Sequence, residues 1–145
     1  MSPDWTKHHE SGVCIKLQNS STMTIKSLYF LVQEGEGFSV NADLLTYAGN
    51  DGYAVGGAAD SVEMEDNNDL SFNKFREIMK LKVEFMKRQP DTGMQVIGAW
   101  VNDDNYAFIE ISDVVKSKQV ALELAKARGE EAIWDFNNNC EIKLT

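Results

Sequence analysis

Cysteine, proline and histidine are scarce: two of each stand in 145 residues. Cys14 and Cys140 lie far apart and form no C-x-x-C pair, so neither a zinc cluster nor a disulfide scaffold is expected. Buried free thiols in a reducing cytoplasm are a simpler expectation than a bridge between them. Two prolines argue against long disordered linkers. His8 and His9 are adjacent in a polar leader; neighbouring residues point apart on a strand and lack helical ligand spacing, so with Asp4 and Glu10 they make no metal site. No apolar run approaches the ~20 residues of a membrane span, and MSPDWTKHHESG lacks the apolar core of a signal peptide. The expected setting is the cytoplasm, with no membrane partner.

Positive charge is also in deficit. Fourteen Lys and Arg against 23 Asp and Glu give a net charge of −9, which repels a phosphate backbone, so direct nucleic-acid binding is not expected. The surplus concentrates in Asp60, Glu63, Glu65, Asp66 and Asp69, a stretch without a basic residue. The expectation is a solvated loop whose carboxylates favour the positive end of the next helix; the alternative is a surface that docks on a basic protein.

Motifs for catalysis are missing as well. There is no G-x-S-x-G nucleophile elbow and no zincin helix, and the histidines stand outside the predicted core. Gly35-Glu36-Gly37 opens like a dinucleotide fingerprint, but Val40 occupies the third glycine's place and Glu34 and Glu36 would repel a pyrophosphate. Asp66-Asn67-Asn68-Asp69 lacks the central glycine and closing glutamate of a calcium loop. Carboxylate pairs such as Glu110 with Asp113 or Asp135 are left for acid/base chemistry, which depends on spatial separation. No cofactor and no metal are expected.

What is present is ordinary globular material, 43% hydrophobic and 26% charged, enough for one domain over residues 1–145 with a polar arm at 1–12. Val13, Ile15 and Leu17 alternate as a strand with one covered face, and residues 23–26 are expected to pair with it. The run LYFLV (28–32), broken by Gly35 and Gly37 before Phe38-Ser39-Val40, reads as a hairpin. Gly49-Asn50-Asp51-Gly52 is a turn signal leading to a short strand at 53–55. A helix is predicted over 71–88, with Asp69 or Ser71 as cap and Phe72, Phe75, Met79, Val83 and Met86 on its core stripe. Residues 94–101 and 106–112 flank the polar tip Asn102-Asp103-Asp104-Asn105 as a hairpin. A second helix is capped by Ser117, carries Val120, Leu124 and Ala127 as its apolar stripe, and ends before Gly129. Residues 131–136 are expected to run parallel to 106–112 through a crossover, and 137–139 to turn the chain into 140–144. The fold class is therefore α+β: a mixed, mainly antiparallel sheet of about five to seven short strands with two helices, including a C-terminal β-hairpin–α–β–β unit.

The segments GAWV (98–101), YAFIEISD (106–113) and ALELAKARGEEAIWD (121–135), with GYAVGG (52–57) upstream, resemble a stretch near the ends of phage-encoded proteins. The resemblance implies a phage-related origin and carries over no catalytic residue. Candidate contact residues come instead from local chemistry. Ile78, Leu81 and Phe85 form an apolar strip beside the core stripe of the 71–88 helix, suited to self-association or a protein partner. Trp100 and Trp134 precede polar turns, and with Asp103 and Asp104 they have the composition of a binding hot spot. Tyr53, Gly56 and Gly57 form a loop that allows close approach, because glycine has no Cβ. The function expected is a non-catalytic acidic binding protein of phage origin, an inhibitor or adaptor on a host or defence-system protein in the host cytoplasm. The alternatives are a structural component of a virion and a small enzyme using carboxylate acid/base chemistry. A small nucleotide-like ligand, bound by aromatic stacking, is compatible with the first reading.

Overall fold

The computed structural model describes residues 22–47, 51–58, 62–89 and 94–144. The expected arm at 1–12, the 13–17 strand, His8, His9, Cys14, Asp60, Gly49 and Asn50 lie outside them. The described elements run α1 (Ile25–Gln33), β1 (Phe38–Val40), β2 (Tyr53–Val55), β3 (Glu63–Asp66), α2 (Phe72–Arg88), β4 (Met94–Val101), β5 (Tyr106–Val115), α3 (Lys118–Ala127), β6 (Ala132–Asp135) and β7 (Cys140–Lys143). The class is α+β, with three described helices rather than two, and the seven described strands form one sheet in the order β1-β4-β5-β2-β6-β7, with β3 also paired to β5. Every pairing between the described strands is antiparallel.

The additional helix is α1, and it overturns the hairpin expected at 28–38. An unbroken apolar run fits a strand or a buried helix equally well, and here the flanking residues decide. The Thr24 hydroxyl accepts from the Ser27 amide at 3.0 Å while the Ser27 hydroxyl accepts from the Thr24 amide at 3.1 Å, a reciprocal capping box. The helix buries Leu28 and Val32 on one side and leaves Phe30 exposed. Gly35, at φ 84°, lets the Glu36 amide reach back to the Leu31 carbonyl and close the helix end. Residues 24–26 therefore enter a helix instead of pairing as a strand, and β1 pairs with β4 (Phe38↔Ala99).

The C-terminal unit forms largely as its turn chemistry dictates. In the β4–β5 hairpin, Asn102 Oδ1 accepts from the amides of Asp104 (3.0 Å) and Tyr106 (2.9 Å), and Asn105 takes a left-handed φ of 63°. Ser117 caps α3, and Gly129 at φ 74° ends it. Strand β6 does run parallel to β5, but β2 lies between them, antiparallel to both. The crossover thus spans one intervening strand supplied from far upstream. The acidic stretch predicted as a loop is in part strand β3, paired with residues 106–109 of β5.

Period-two alternation divides the sheet into two faces. Ile97, Ala99, Val101, Ala107, Ile109 and Ile111 point to one side, where they pack against Leu28 and Val32 of α1 and Phe75, Ile78 and Met79 of α2. Val55 and Ile133 extend that side beneath Ala121 and Ala125 of α3, a stripe displaced from the one expected, with Val120 exposed. All three described helices thus lie on one face. The opposite face carries Val96, Gly98 and Trp100 of β4, Phe108, Glu110 and Ser112 of β5, Ala54 of β2 and Trp134 of β6, in the register set by the pairings Gly98↔Glu110, Trp100↔Phe108 and Ala54↔Trp134.

Candidate functional site

Two strands compete for the same edge of β5. Strand β3 takes residues 106–109 and β2 takes residues 113–115, which leaves Glu110, Ile111 and Ser112 at a break bridged by the chain after β2, where the Ala58 amide donates to the Ile111 carbonyl at 3.3 Å. A groove of about 510 Å³ opens at this break on the face opposite the described helices, within the size range of ligand pockets. The sheet supplies Gly98, Trp100, Phe108, Ser112 and Trp134, and Trp100 and Phe108 stack with ring centroids 5.0 Å apart and planes 11° from parallel. Among the described lining residues the charged side chains are all carboxylates: Glu110, Glu130, Glu131 and Glu141.

Glu110 and Glu130 converge on Gly56. A methyl group placed on Gly56 would stand 2.8 Å from Glu110 Oε1 and 2.7 Å from Glu130 Oε1, so the two oxygens are no further apart than the sum of those distances. Glycine is required there by space, since a Cβ would occupy the gap both carboxylates approach. Each partner is fixed by local structure. Glu110 is held in register on β5. Glu130 follows the left-handed Gly129, and its amide closes α3 on the Ala125 carbonyl at 2.9 Å. Arg128 ties the arrangement down from beside it: its guanidinium donates to the Gly56 carbonyl at 2.9 Å and to Asp113 Oδ2 at 2.6 Å.

Electrostatics separates Glu110 from an ordinary carboxylate. Burial, reinforced by the neighbouring Glu130 charge, pushes its carboxyl from 4.5 up to about 7, against the opposing effects of a hydrogen bond from the Gly57 amide and the Lys82 charge. The residue is 9% exposed, and its Oε1 has no hydrogen-bond partner among the described residues. Glu130 is also raised, by burial first and by Glu131, with Arg128 opposing. Near neutral pH the pair therefore holds a proton part of the time. It has the chemistry to donate that proton to a ligand or to release it and accept a cation.

The candidate residues taken from sequence separate in space. Trp100, Trp134 and Gly56 meet in the groove. Asp103 and Asp104 are exposed at the hairpin tip and do not line it, Gly57 is exposed beside it at φ 81°, and Tyr53 packs toward α3 on the other face. The α2 strip does not hold together as one surface: Ile78 is core, Phe85 is half-buried against that core, and Leu81 is 64% exposed. The proposed carboxylate partners of Glu110 are also reassigned. Asp113 points to the helix side and is paired with Arg128, while Asp135 is buried and accepts from the Asn137 amide at 2.8 Å to shape the β6–β7 turn. Glu130 takes their place. Its signal in the sequence is its position just after a helix-ending Gly129, which fixes its backbone but gives no hint of what it faces.

Asn67, part of the stretch that lacks the glycine and glutamate of a calcium loop, is buried and joins three segments. Its side-chain amide donates to the Val32 carbonyl at 2.8 Å and to Asn105 Oδ1 at 3.2 Å, and its Oδ1 accepts from Gln33 at 2.7 Å. This network ties the β4–β5 tip to α1. No group of three or more His, Cys, Asp or Glu side chains able to hold a metal occurs among the described residues, and no described helix is long and apolar enough to cross a membrane. Cys140 is a half-buried free thiol, raised in pKa by burial.

With this geometry in view, comparison with known proteins adds no relative: no family model, curated protein or solved structure matches the chain.

Proposed function

We propose that the chain is a non-catalytic acidic binding protein that takes a basic segment of a protein partner into the groove on the side of its sheet opposite the described helices. The observation that carries this reading is the composition of the lining: four carboxylates, no described basic side chain, and the aromatic surfaces of Trp100, Phe108 and Trp134. Aromatic faces attract cations through their quadrupole, and carboxylates orient them by charge-assisted hydrogen bonds. The net charge of −9 would draw such a partner in from a distance. The resemblance of the 98–135 region to phage-encoded proteins favours a host or defence-system protein as target, with this chain as inhibitor or adaptor.

Calorimetric titration with a short Arg- and Lys-rich peptide tests the reading, against a control peptide with glutamates in place of the basic residues. The basic peptide is expected to bind, more weakly at about 300 mM than at about 50 mM salt because exposed charge contacts are screened. Trp100→Ala is expected to weaken it roughly tenfold or more, as loss of a central aromatic does, and Leu81→Ala to leave it unchanged. Equal affinity for the acidic control, or a folded Trp100→Ala protein that binds as before, would remove the groove from the account.

A further inference from the structure

The carboxylate pair at Gly56 has a more specific occupant than basic character in general. We propose that Glu110 and Glu130 form a receptor for a single guanidinium group, an arginine side chain of the partner, which enters beside the stacked Trp100 and Phe108 rings and bridges the two Oε1 atoms. The inference rests on the groove reading above and names the occupant of the carboxylate pair that lines it.

Three observations converge on it. First, Glu110, a residue about nine-tenths buried, lines the groove, and its Oε1 has no hydrogen-bond partner among the described residues. A buried acceptor left unsatisfied costs about 1–3 kcal/mol, and more when charged, so a donor from outside is strongly favoured there. Second, Glu130 Oε1 converges on the same point, because both oxygens stand within 3 Å of the position a Gly56 Cβ would take. Two acceptors converging on one gap suit a planar fork of N–H donors better than one rotating ammonium, and the Trp100–Phe108 pair gives that plane a surface to stack on. Third, the absence of a side chain at Gly56 lets both carboxylates close in on its backbone, and its carbonyl is itself held by Arg128. Arg128 donates to Asp113 and to the backbone carbonyls of Val55 and Gly56, so the chain's nearest guanidinium is engaged elsewhere.

Charge matching follows. The groups acting on Glu110 are Glu130 from the α3–β6 connection, Lys82 from α2 and the Gly57 amide from the loop after β2; those acting on Glu130 are Arg128 and Glu131. A guanidinium favours the doubly ionised pair, so its arrival expels the proton that the pair holds near neutrality. If only ionised Glu110 accepts it, affinity rises about tenfold between pH 6 and pH 8, given a carboxyl that titrates at about 7.

The test is an NMR titration of the whole protein with N-acetyl-arginine-N-methylamide, beside the lysine and citrulline analogues. The arginine probe is expected to shift the Gly56 and Gly57 amides and the Trp100 indole, the lysine probe to act more weakly, and neutral citrulline not at all. Glu130→Gln, a change on a half-exposed connection, is expected to weaken the arginine response at least about fivefold and Glu110→Gln to abolish its pH dependence. Gly56→Ala, which fills the gap, is expected to remove binding; circular dichroism establishes that each variant is folded. No response to the arginine probe at millimolar concentration, or an equal response from citrulline or from folded Glu130→Gln, overturns the receptor. A basic peptide that binds through Trp100 while Glu110→Gln and Glu130→Gln have no effect overturns the receptor and leaves the groove reading standing. An arginine probe that binds while the basic peptide does not supports the receptor and overturns that reading.

Discussion

Glu110 is where local chemistry and stability pull in different directions. Its folded carboxyl titrates at about 7 while the unfolded chain's titrates near 4.5, so between those values the folded state holds more protons. The sign follows from that difference: the favourable contribution is complete below about pH 4.5, declines as pH rises through about 7, and is gone above it. A shift of this size corresponds to ~3 kcal/mol at ~1.4 kcal/mol per unit. Glu110→Gln, which keeps the shape and removes the titration, is therefore expected to raise stability at pH 8 by an amount approaching that figure and to change little at pH 4. Urea unfolding of both proteins at the two pH values checks it; an equal difference at both would mean that Glu110 titrates normally. Nothing in the sequence marked this residue beyond its carboxyl group. Its environment comes from β2 and β3 dividing one edge of β5, a pairing across more than 40 residues of chain that no local pattern encodes.

At the level of the elements, termini were more legible than interiors. Ser71 and Ser117 cap α2 and α3 as their side chains imply, and Gly129 takes the left-handed turn expected of it. LYFLV is a helix where its sequence reads as a strand, because five consecutive apolar residues carry neither a period of two nor one of 3.6, and the Thr24–Ser27 capping box that settles the matter uses serine where glutamate is the usual signal. The β4–β5 tip shows the same contrast between composition and contact. Asp103 and Asp104 are exposed, whereas Asn102 holds two amides and Asn105 is tied to Asn67. Replacing both aspartates by alanine is expected to leave the melting temperature nearly unchanged. Asn67→Ala removes the side-chain bonds to the Val32 carbonyl, Gln33 and Asn105 but leaves the Val32 carbonyl with the Gly35 amide and Gln33 with the backbone carbonyl at 67, so it is expected to cost about 1–2 kcal/mol. Thermal and urea denaturation of the two variants give the comparison directly.

Taken whole, the described helices lie on one face of the sheet and the groove lined by carboxylates and aromatic rings on the other. The core beneath α1 and α2 is conventional: Phe75 is fully buried and contacts Tyr29 and Phe38 edgewise or at a tilt, so Phe75→Ala is expected to cost about 3–5 kcal/mol in urea denaturation. The α+β class and the β6–β7 turn could be read from sequence, as could the hairpin at residues 94–115, because each depends on neighbours in the chain. The insertion of β2 between β5 and β6 could not, and the groove follows from that insertion. In sequence Trp100 and Trp134 precede separate turns, and the sheet brings them to one lining.

The central claim is that a basic partner enters this groove, and amide chemical-shift mapping with an arginine-containing basic peptide tests it most directly. The account predicts perturbations concentrated at Gly56, Gly98, Phe108, Glu110 and Ser112 and at the Trp100 and Trp134 indoles, with α2 silent. Shifts confined to the exposed side of α2 around Leu81, or to β3, would contradict it and place recognition on the opposite side of the sheet or at its edge.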